Sequence, residues 1–507
     1  AGALAATPLL NHSALARERA KPIARDGSFD WGVSAGFPLP YGIVLWTRVD
    51  GLDRSSKVTL EVATDRGFRK VVHRSKQLAQ KNRDYTVHAR VRQLKPATEY
   101  FYRFATKSSR SRVGRFRTAP PRKSDQPVRI GFFSCQAWQA GYYNAHSGLA
   151  AERDLDLVVC LGDYIYEDAT YSGARTDDTG ENNDGDAQKL AEYREKYRFY
   201  QSDPQLQEMH ANHAFVSIWD DHEVEDNYAG DEPSSAAEEG KTNYGAERRV
   251  PFLQRRKNGY RAFFEAMPRI QRKGDPNRIY GRAELGNMAD LYLLDQRQYR
   301  DQQPCGDAFF TPCPESTAPR DYLGPRQLGW LKNRLARTDS RWKILGNQLM
   351  LMAFDVAPGV PVVQDSWEGY QAERTELTEH IVAAGIDNVV ALTGDIHTFF
   401  TGTVTTTGRI DGTPAATEFV GGSISSLGVK ETLSPVPVEN LEAAIVANDP
   451  HMIYADFDRR GYGVLTLDKD RATVEYKAAD ALTEGAPTEP LASFELPVGS
   501  LDVQRTD

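Results

Sequence analysis

Four apolar runs in this chain end in residues able to hold metal ions or move protons. "IGFFSC" ends at Cys135, and "LVVCLGDYIY" runs into Asp163, Tyr164 and Tyr166. "AFVSIWDDHE" delivers Asp220, Asp221, His222 and Glu223, and "NVVALTGDIH" delivers Asp395 and His397. Only ten histidines occur in the chain, and two stand beside aspartates in these tails. One strand followed by Asp is ordinary, because Asp suits turns and caps. Four such endings are hard to assign to turns alone. Carboxylates gathered at this density must protonate, separate or acquire a cation. A di- or trinuclear metal site resolves the repulsion, with Asp163 offering two oxygens to two metals. Tyr166 as phenolate and Cys135 as thiolate are anionic donors that suit iron. The aspartates suit Ca²⁺, with Mg²⁺ or Mn²⁺ as substitutes. Taken singly, Tyr166 could cover a sheet edge and Cys135 could be a buried thiol. The four endings together argue for ligation.

Each tail needs a strand to hold it. Leu157 to Leu161 are five consecutive apolar residues, the pattern of a buried strand, and Gly162 then permits a sharp exit. Residues just past such a strand lie at the rim where open α/β folds place their chemistry. Were the four strands neighbours in one sheet, their carboxyl ends would converge on one crevice. Helical stretches at "NAHSGLAAER", "AQKLAEYREKYRFYQ", "PQLQEMHANH", 245–267 and "RQLGWLKNRLAR" alternate with these strands. That alternation predicts an α/β layered domain over 127–500, strand-rich again after about residue 400. Residues 28–120 instead read as six or seven short strands with turn signals between them. They predict a small antiparallel β-sandwich similar to a fibronectin type III module. "APPRKSDQP" (119–127) is the linker. The acidic, glycine-rich loop at 171–186 is long enough to carry a function. The stretch 448–463, with His451 and several aromatics, reads as a lid.

Bulk properties bound the rest. At 507 residues the chain exceeds one ordinary core, and 40% hydrophobic with 26% charged residues is a globular composition. A net charge of -8 with no long basic tract excludes a nucleic-acid-binding surface. No apolar run reaches eighteen residues, so nothing in the sequence reads as a membrane span. The opening "AGALAATPLLNHSALA" resembles the end of a secretory signal, or else a floppy extension, and points to a secreted, extracellular protein. Cys305 and Cys313 bracket "GDAFFTP" and could close a disulfide in an oxidising compartment. Cys160, inside the apolar run, reads as inert core. "EEGKTN" places Ser235 where a phosphate loop needs its first glycine, and "GGSISS" places Ser425 where a nucleophile elbow needs one.

At these residues the sequence resembles the alkaline phosphatase D family of metallophosphoesterases, akin to purple acid phosphatases. The resemblance begins at "GVSAGFPLPYGIVLWTRV" and runs through "FFSCQAWQAGYYNAH", "LGDYIYE" and "WDDHEVEDNYAG". It continues through "LLDQRQYR", "GPRQLGWL", "LGNQ", "WEGYQAER" and "LTGDIHT", so it covers nearly the whole chain. It implies a metallophosphoesterase-type α/β sandwich behind the small β-domain, with a site holding Fe³⁺ and one or two Ca²⁺. It implies Asp163 as the bridging ligand and Tyr166 as the iron-binding phenol. "DDHE" then supplies Asp221 as a ligand and His222 as the catalytic histidine. Asp395 stands where a histidine is more usual, while His397 keeps its place. Cys135 replaces the first motif's Asp, and "LGNQ" leaves Asn347 as a ligand where relatives more often carry a motif ending in His. Trading His for Asp hardens the site and favours Ca²⁺ over Zn²⁺. "GFP" stands for the more usual "GDP" in the β-domain, remote from the chemistry.

The resemblance and the ligand set together predict hydrolysis of a phosphoester by metal-activated hydroxide attack at phosphorus. His222 would protonate the leaving oxygen or steady the charge that develops. Arg297 in "DQRQYR" is the candidate phosphate clamp through its planar donor fork, or else forms a surface ion pair. The family includes calcium-dependent secreted enzymes with phospholipase D activity. Phosphodiesters, phospholipid or related, are therefore the expected substrates, with peripheral contact to lipid and a monomeric chain. A broad-specificity alkaline phosphomonoesterase is the alternative. An extracellular calcium-stabilised adhesion protein without catalysis is the alternative of another class. An iron oxidase is a third, against which the density of carboxylates speaks.

Overall fold

Alternation of buried and solvated positions over 28–120 produces seven strands. They are β1 (Val33–Leu39), β2 (Gly42–Arg48), β3 (Ser56–Ala63), β4 (Val71–Ala79), β5 (Thr86–Arg92), β6 (Glu99–Ala105) and β7 (Gly114–Arg117). Val58, Leu60 and Val62 of β3 and Tyr100, Tyr102 and Phe104 of β6 are buried while their neighbours are wetter, so each strand seals one face. One antiparallel sheet has the order β4-β3-β6-β7. The other three strands, β1-β2-β5, do not close on themselves. β1 also pairs in parallel with β10 (Ala214–Ser217), Ala35 opposite Ala214, so the small sheet runs on into the large one. The reason is legible in β1, whose first four residues are all buried: a strand covered on both faces takes a neighbour on both edges.

The computed structural model describes residues 21–168, 173–432 and 438–507. The alanine-rich opening and the first residues of the 171–186 loop lie outside the described residues.

Past the linker come β8 (Val128–Phe133), β9 (Leu157–Cys160), then β10, β11 (Gly281–Leu285), β12 (Ala289–Leu293) and β13 (Trp342–Gly346). A small hairpin, β14 (Asp355–Ala357) and β15 (Val360–Pro361), precedes β16 (Val389–Thr393), β17 (Phe399–Thr405), β18 (Pro414–Val420) and β19 (Met452–Asp456). The chain ends in β20 (Arg460–Leu467), β21 (Arg471–Ala479), β22 (Thr488–Pro497) and β23 (Gln504–Arg505). Ten strands form one sheet in the order β23-β22-β21-β20-β8-β9-β10-β1-β2-β5, and seven form a second, β11-β12-β13-β16-β18-β17-β19. The sheets pack face to face through aromatics: Phe399 lies 4.8 Å from Tyr476, and the Tyr476 hydroxyl donates to the Phe400 carbonyl at 2.8 Å. β16 shows why its sequence is unbroken apolar. Val390 and Leu392 face the core between the sheets, while Val389 and Ala391 face the helices α5 (Gly324–Leu335) and α6 (Gln371–Ala383). Earlier in the chain, α1 (Asn144–Ala151) and α3 (Pro204–Asn212) lie against the large sheet, and α2 (Leu190–Gln201) packs on α4 (Phe252–Ala266).

Three expectations change. The four ligand-bearing strands are not neighbours in one sheet: β8, β9 and β10 are adjacent in the large sheet, but β16 belongs to the other. The 448–463 stretch is no lid. It forms β19, antiparallel to β17, and the start of β20, while buried His451 contacts the Ala353 carbonyl through Nε2 at 3.0 Å. Helix α6 escapes periodicity because it buries Glu373, Arg374 and Thr378 beside Leu377 and Ile381, which blurs the apolar stripe. Cys305 and Cys313 are disulfide-bonded, and Cys160 is a buried free thiol. Among the described residues no helix is long and apolar enough to cross a membrane.

Candidate metal centre

The carboxyl ends of β8, β9 and β10 meet the carboxyl end of β16 across the gap between the sheets. Gly162 is where this close approach is set. Its φ is +130°, and a Cβ there would lie 2.5 Å from the Cβ of Asp220. Gly394 does the same across the two sheets, where a Cβ would meet the Ser134 hydroxyl at 2.5 Å. At these strand ends the backbone is left-handed: Cys135, Asp163, Asp395 and His397 have φ of 57°, 54°, 66° and 55°. Asp and His tolerate that region better than most residues, but Cys adopts it at a cost, and such strain concentrates at functional sites.

These turns bring seven predicted residues together: Cys135, Asp163, Tyr166, Asp221, His222, Asp395 and His397. Cys135 Sγ lies 3.4 Å from Asp163 Oδ2, and the Tyr166 hydroxyl lies 3.3 Å from the same oxygen and 3.0 Å from His397 Nε2. Among the described residues four groups of side chains have donor atoms within 4.8 Å of one another: Cys135–Asp163–His397, Asp163–Asp221–His222, Asp220–Asp221–Asp395 and Glu167–Asp168–His222. Asp163 joins the first two groups, Asp221 the second and third, and His222 the second and fourth, so the clusters are connected. His397 Nδ1 contacts the Leu427 carbonyl at 2.5 Å, which assigns the ring proton to Nδ1 and turns the Nε2 lone pair to the site. Burial lowers its pKa to about 4, so the ring is neutral near pH 7, as a ligand must be.

The electrostatics ask for cations. Burial first, and then the charge of Asp221, push the Asp163 carboxyl well above the usual range. Burial and Asp220 do the same to Asp395, and Asp220 itself rises to about 7 through burial and Asp221 despite Arg297. Burial and the Asp163 charge raise the Cys135 thiol. Oδ1 of Asp163 and Oδ1 of Asp221 are buried and accept no hydrogen bond. Thiol, phenol, imidazole and carboxylates with free lone pairs fit metal ions. The sign of a pH effect follows for the metal-free chain. Groups with raised folded pKa values stabilise the fold below their unfolded values near 4, and lose that contribution as pH rises through the folded ones, near 7 for Asp220 and 8 for Glu223. The unfolding midpoint of chelated protein should therefore fall relative to metal-loaded protein between about pH 4 and 8, with a gap that widens as pH rises, measured by thermal denaturation of both forms.

His222 sits on the cleft side of these clusters. Its Nδ1 is 2.7 Å from Glu167 Oε2, its Nε2 is 3.6 Å from Asp226 Oδ1, and its ring lies 4.0 Å from that of Tyr166. Burial disfavours its charge, but Glu167, Asp221 and Asp163 outweigh burial and raise its pKa well above the ordinary value. In the metal-free chain these carboxylates therefore favour the charged form of the ring.

Two predicted residues are placed elsewhere. Arg297 is fully buried, neither on the surface nor among the residues lining the cleft. It ion-pairs with Asp220, lies 2.7 Å from Asp365 Oδ2, and reaches Asp221 and Asp395 at 3.4 and 3.7 Å. It lies in the loop that leaves β12 (Ala289–Leu293) and sits beneath the carboxylates as their internal counter-charge. Asn347 is also fully buried, with its amide committed. It donates to the Leu349 carbonyl and the Thr393 hydroxyl, and accepts from Gln296 and from Trp367 Nε1 at 3.2 Å. It braces the end of β16 and does not join the ligand clusters.

Sequence reasoning leaves out Glu167 and Asp365, and names Glu223 among the strand-end residues without giving it a role. Glu167 lies one residue past Tyr166 in the same tail and was within reach of a strand-end count. Asp365 comes from the loop after β15, a strand of two residues that leaves no pattern in the sequence, so only folding reveals it. Glu223 is the keystone of the turns: Oε2 accepts from the Asp220 and Asp163 amides at 2.8 and 3.3 Å, and Oε1 from the Tyr164 amide at 2.9 Å. Glu223→Ala should lose stability by about 1–3 kcal/mol for each amide left unpaired and buried. Urea titration would measure the loss.

The cleft above the clusters has a volume of about 220 Å³. Asp163, Asp221, His222, Asp395 and His397 line its floor, and Phe309, Phe310, Phe354, Val362 and Val363 line its wall. A larger groove, about 810 Å³ along α5 and α6, includes none of the ligand clusters.

The chain is similar to known proteins over this whole architecture. The family model described as PhoD-like phosphatase matches residues 130–476, and that described as PhoD-like phosphatase, N-terminal domain, matches 14–120. Alkaline phosphatase D of Bacillus subtilis (strain 168) is 34% identical over 488 residues, covering 92% of this chain and 80% of the relative. A solved structure of PhoD superposes with a TM-score of 0.84 at 31% identity, over 94% of this chain and 92% of that one. The purple acid phosphatase PPD1 from yellow lupin seeds superposes with a TM-score of 0.56 at 13% identity, over 94% and 75%, and shares the fold.

Proposed function

The chain belongs to the PhoD-like phosphatase family and is a phosphoric ester hydrolase, and from that premise we propose that it cleaves phosphodiesters at a centre of Fe³⁺ and Ca²⁺. The observation that carries this reading is the set of connected clusters sharing Asp163 and Asp221. Cys135, Asp163, Tyr166 and His397 would hold Fe³⁺. Asp163, Asp221 and Asp395 would hold Ca²⁺. Bound there, these cations would polarise the phosphoryl group and bring the pKa of a water down to about 7.

The protein's own residues supply the rest. Glu167 fixes one ring proton of His222 and leaves the Nε2 proton toward the cleft, where it can pass to the departing oxygen. Arg297 and His222 hold Asp221 ionised against its burial, which keeps a ligand ready. The described residues lining the cleft include no Lys or Arg. A diester with one negative charge suits that lining better than a monoester with two. The Cys305–Cys313 bridge supports a location in an oxidising compartment, and hence secretion.

Metal analysis with a visible spectrum tests the centre. The purified enzyme should contain iron and show a phenolate-to-iron absorption band that Tyr166→Phe removes. Its kcat/KM for bis(p-nitrophenyl) phosphate should exceed that for p-nitrophenyl phosphate. Iron-free protein of full activity, or ester cleavage indifferent to chelators, would refute the reading.

A further inference from the structure

The chain's net charge of -8 hides a division. Residues 28–120 hold 19 of the 62 Lys and Arg but only 7 of the 70 Asp and Glu, so the small module is strongly basic and the rest of the chain strongly acidic. The basic charge gathers on one surface. The sheet β4-β3-β6-β7 turns Val58, Leu60, Val62, Tyr100, Tyr102 and Phe104 to the core, which leaves the alternate residues on its outer side. There Glu61 stands opposite Arg74 and Arg103, Thr59 opposite Lys76, Phe101 opposite Arg115 and Glu99 opposite Arg117. With Lys57, six cations share this face with two carboxylates. The β3–β4 hairpin adds Arg66, Arg69 and Lys70, all exposed, and Arg103 lies over its Phe68 ring at 4.0 Å. Ion pairs do not neutralise the surface. Glu61 serves both Arg74 and Arg103, at 2.6 and 2.7 Å, Glu99 lies 3.5 Å from Arg115, and Asp65 lies 3.5 Å from Arg69. Among the described residues Arg66, Lys70 and Lys76 have no acidic partner. Like charges on neighbouring strands repel, so the face costs stability that a bound polyanion would restore.

The class of polyanion follows from what the face lacks. Among the described residues Val72 is its one exposed large hydrophobic side chain, too little to enter an acyl layer. Single-stranded nucleic acid needs aromatic platforms for its bases, but Phe101 is half-buried and Phe68 is capped by Arg103. A folded protein partner buries an apolar centre from which Lys is depleted. A linear acidic polysaccharide needs neither rings nor hydrocarbon, because planar guanidinium forks take its carboxylates. We propose that the outer face of β4-β3-β6-β7, with the β3–β4 hairpin, is a docking surface for a linear acidic polysaccharide. Pairing of β1 with β10 then holds the metal centre in one fixed orientation to the docked polymer. Docking of this kind uses none of the residues that line the cleft.

Binding of labelled polygalacturonate to the metal-loaded enzyme tests this, beside neutral dextran, single-stranded oligo-dT and phosphatidylglycerol vesicles. The enzyme should bind polygalacturonate and not dextran, with an affinity that falls at least about tenfold as NaCl rises from about 20 to about 200 mM. Arg66→Ser/Lys70→Ser/Lys76→Ser should lose at least about tenfold in affinity, since it removes three cations that leave no acid unpaired. Arg90→Ser/Arg92→Ser/Lys95→Ser takes the same charge from exposed positions in and after β5, on the other sheet, and should lose less than about threefold. Arg66→Lys/Lys70→Arg/Lys76→Arg should bind as the wild type does. All three variants should keep the wild-type unfolding midpoint and turnover, because none of these residues lines the cleft. No binding of polygalacturonate, equal losses in the two serine variants, or tighter binding of oligo-dT or of the vesicles overturns the proposal.

Discussion

Asp163→Asn should abolish phosphoester hydrolysis and strip metal from the centre. Asp163 is the side chain common to the Cys135–His397 group and the Asp221–His222 group, and its Oδ1 is buried without a hydrogen-bond donor. Asn keeps the shape but offers one oxygen in place of two, and no charge. Loss of a partner that merely supports a metal ligand costs about 10–100-fold in affinity or activity. Loss of a shared ligand should exceed that range, so turnover below about 1% of wild type is expected. Elemental analysis should show both metals depleted, because one carboxylate serves two clusters. Retention of one metal with the other lost would show that Asp163 serves a single ion. The apo variant should also unfold at a higher temperature than apo wild type near neutral pH, since one buried, repelled carboxyl has been removed.

His222→Ala should lower kcat by about 100- to 10,000-fold, the range expected for a positioned general acid. The structural case is that His222 is buried, held by Glu167 at 2.7 Å and packed at a tilt against the Tyr166 ring, with its other nitrogen facing the cleft. Glu167→Gln should cost less, because the ring keeps its place and loses only part of its charge stabilisation. Metal content should survive both changes. The sharper readout is the leaving group. If His222 delivers the proton, esters of p-nitrophenol, which leave without help, should suffer far less than esters of aliphatic alcohols. Equal losses for both would assign His222 to stabilising charge on the phosphoryl group, and loss of metal along with activity would make it a ligand.

Much of this site could be read from the sequence because strands announce themselves and end where they must. Leu157 to Leu161 is apolar for two reasons at once, burial on both faces and the need for a rigid base, and Gly162 then stands at the only kind of residue that tolerates both its φ and the approach of Asp220. Cys135, Asp163, Asp221, Asp395 and His397 each follow a strand closely, so counting past strand ends found them. What failed is what depends on pairing between distant segments. Nothing local says that β16 joins β13 rather than β9, so the sequence carries the sandwich but not which strands share a sheet. Arg297 reads in the sequence as a phosphate clamp, or else a surface ion pair, because a planar donor fork suits both. Only the convergence of four aspartates from three loops makes a buried guanidinium favourable. Asn347 follows a strand just as the true cluster members do. Its difference lies in Gln296, Thr393 and Trp367, which occupy its amide before any ion could.

The parallel pairing of β1 with β10 has a bearing on how this chain could be handled or could have arisen. Two cores that own separate sheets can be severed at a proline-rich joint and shuffled like beads. Here the joint at 119–127 separates the two halves only along the string, whereas in space a single ribbon of amides crosses from one half to the other. An excised C-terminal half would carry the flank of β10 as a bare sticky margin, the very geometry that seeds precipitation. The N-terminal module is therefore better regarded as a permanent selvedge of the catalytic fabric than as an accessory sewn onto it.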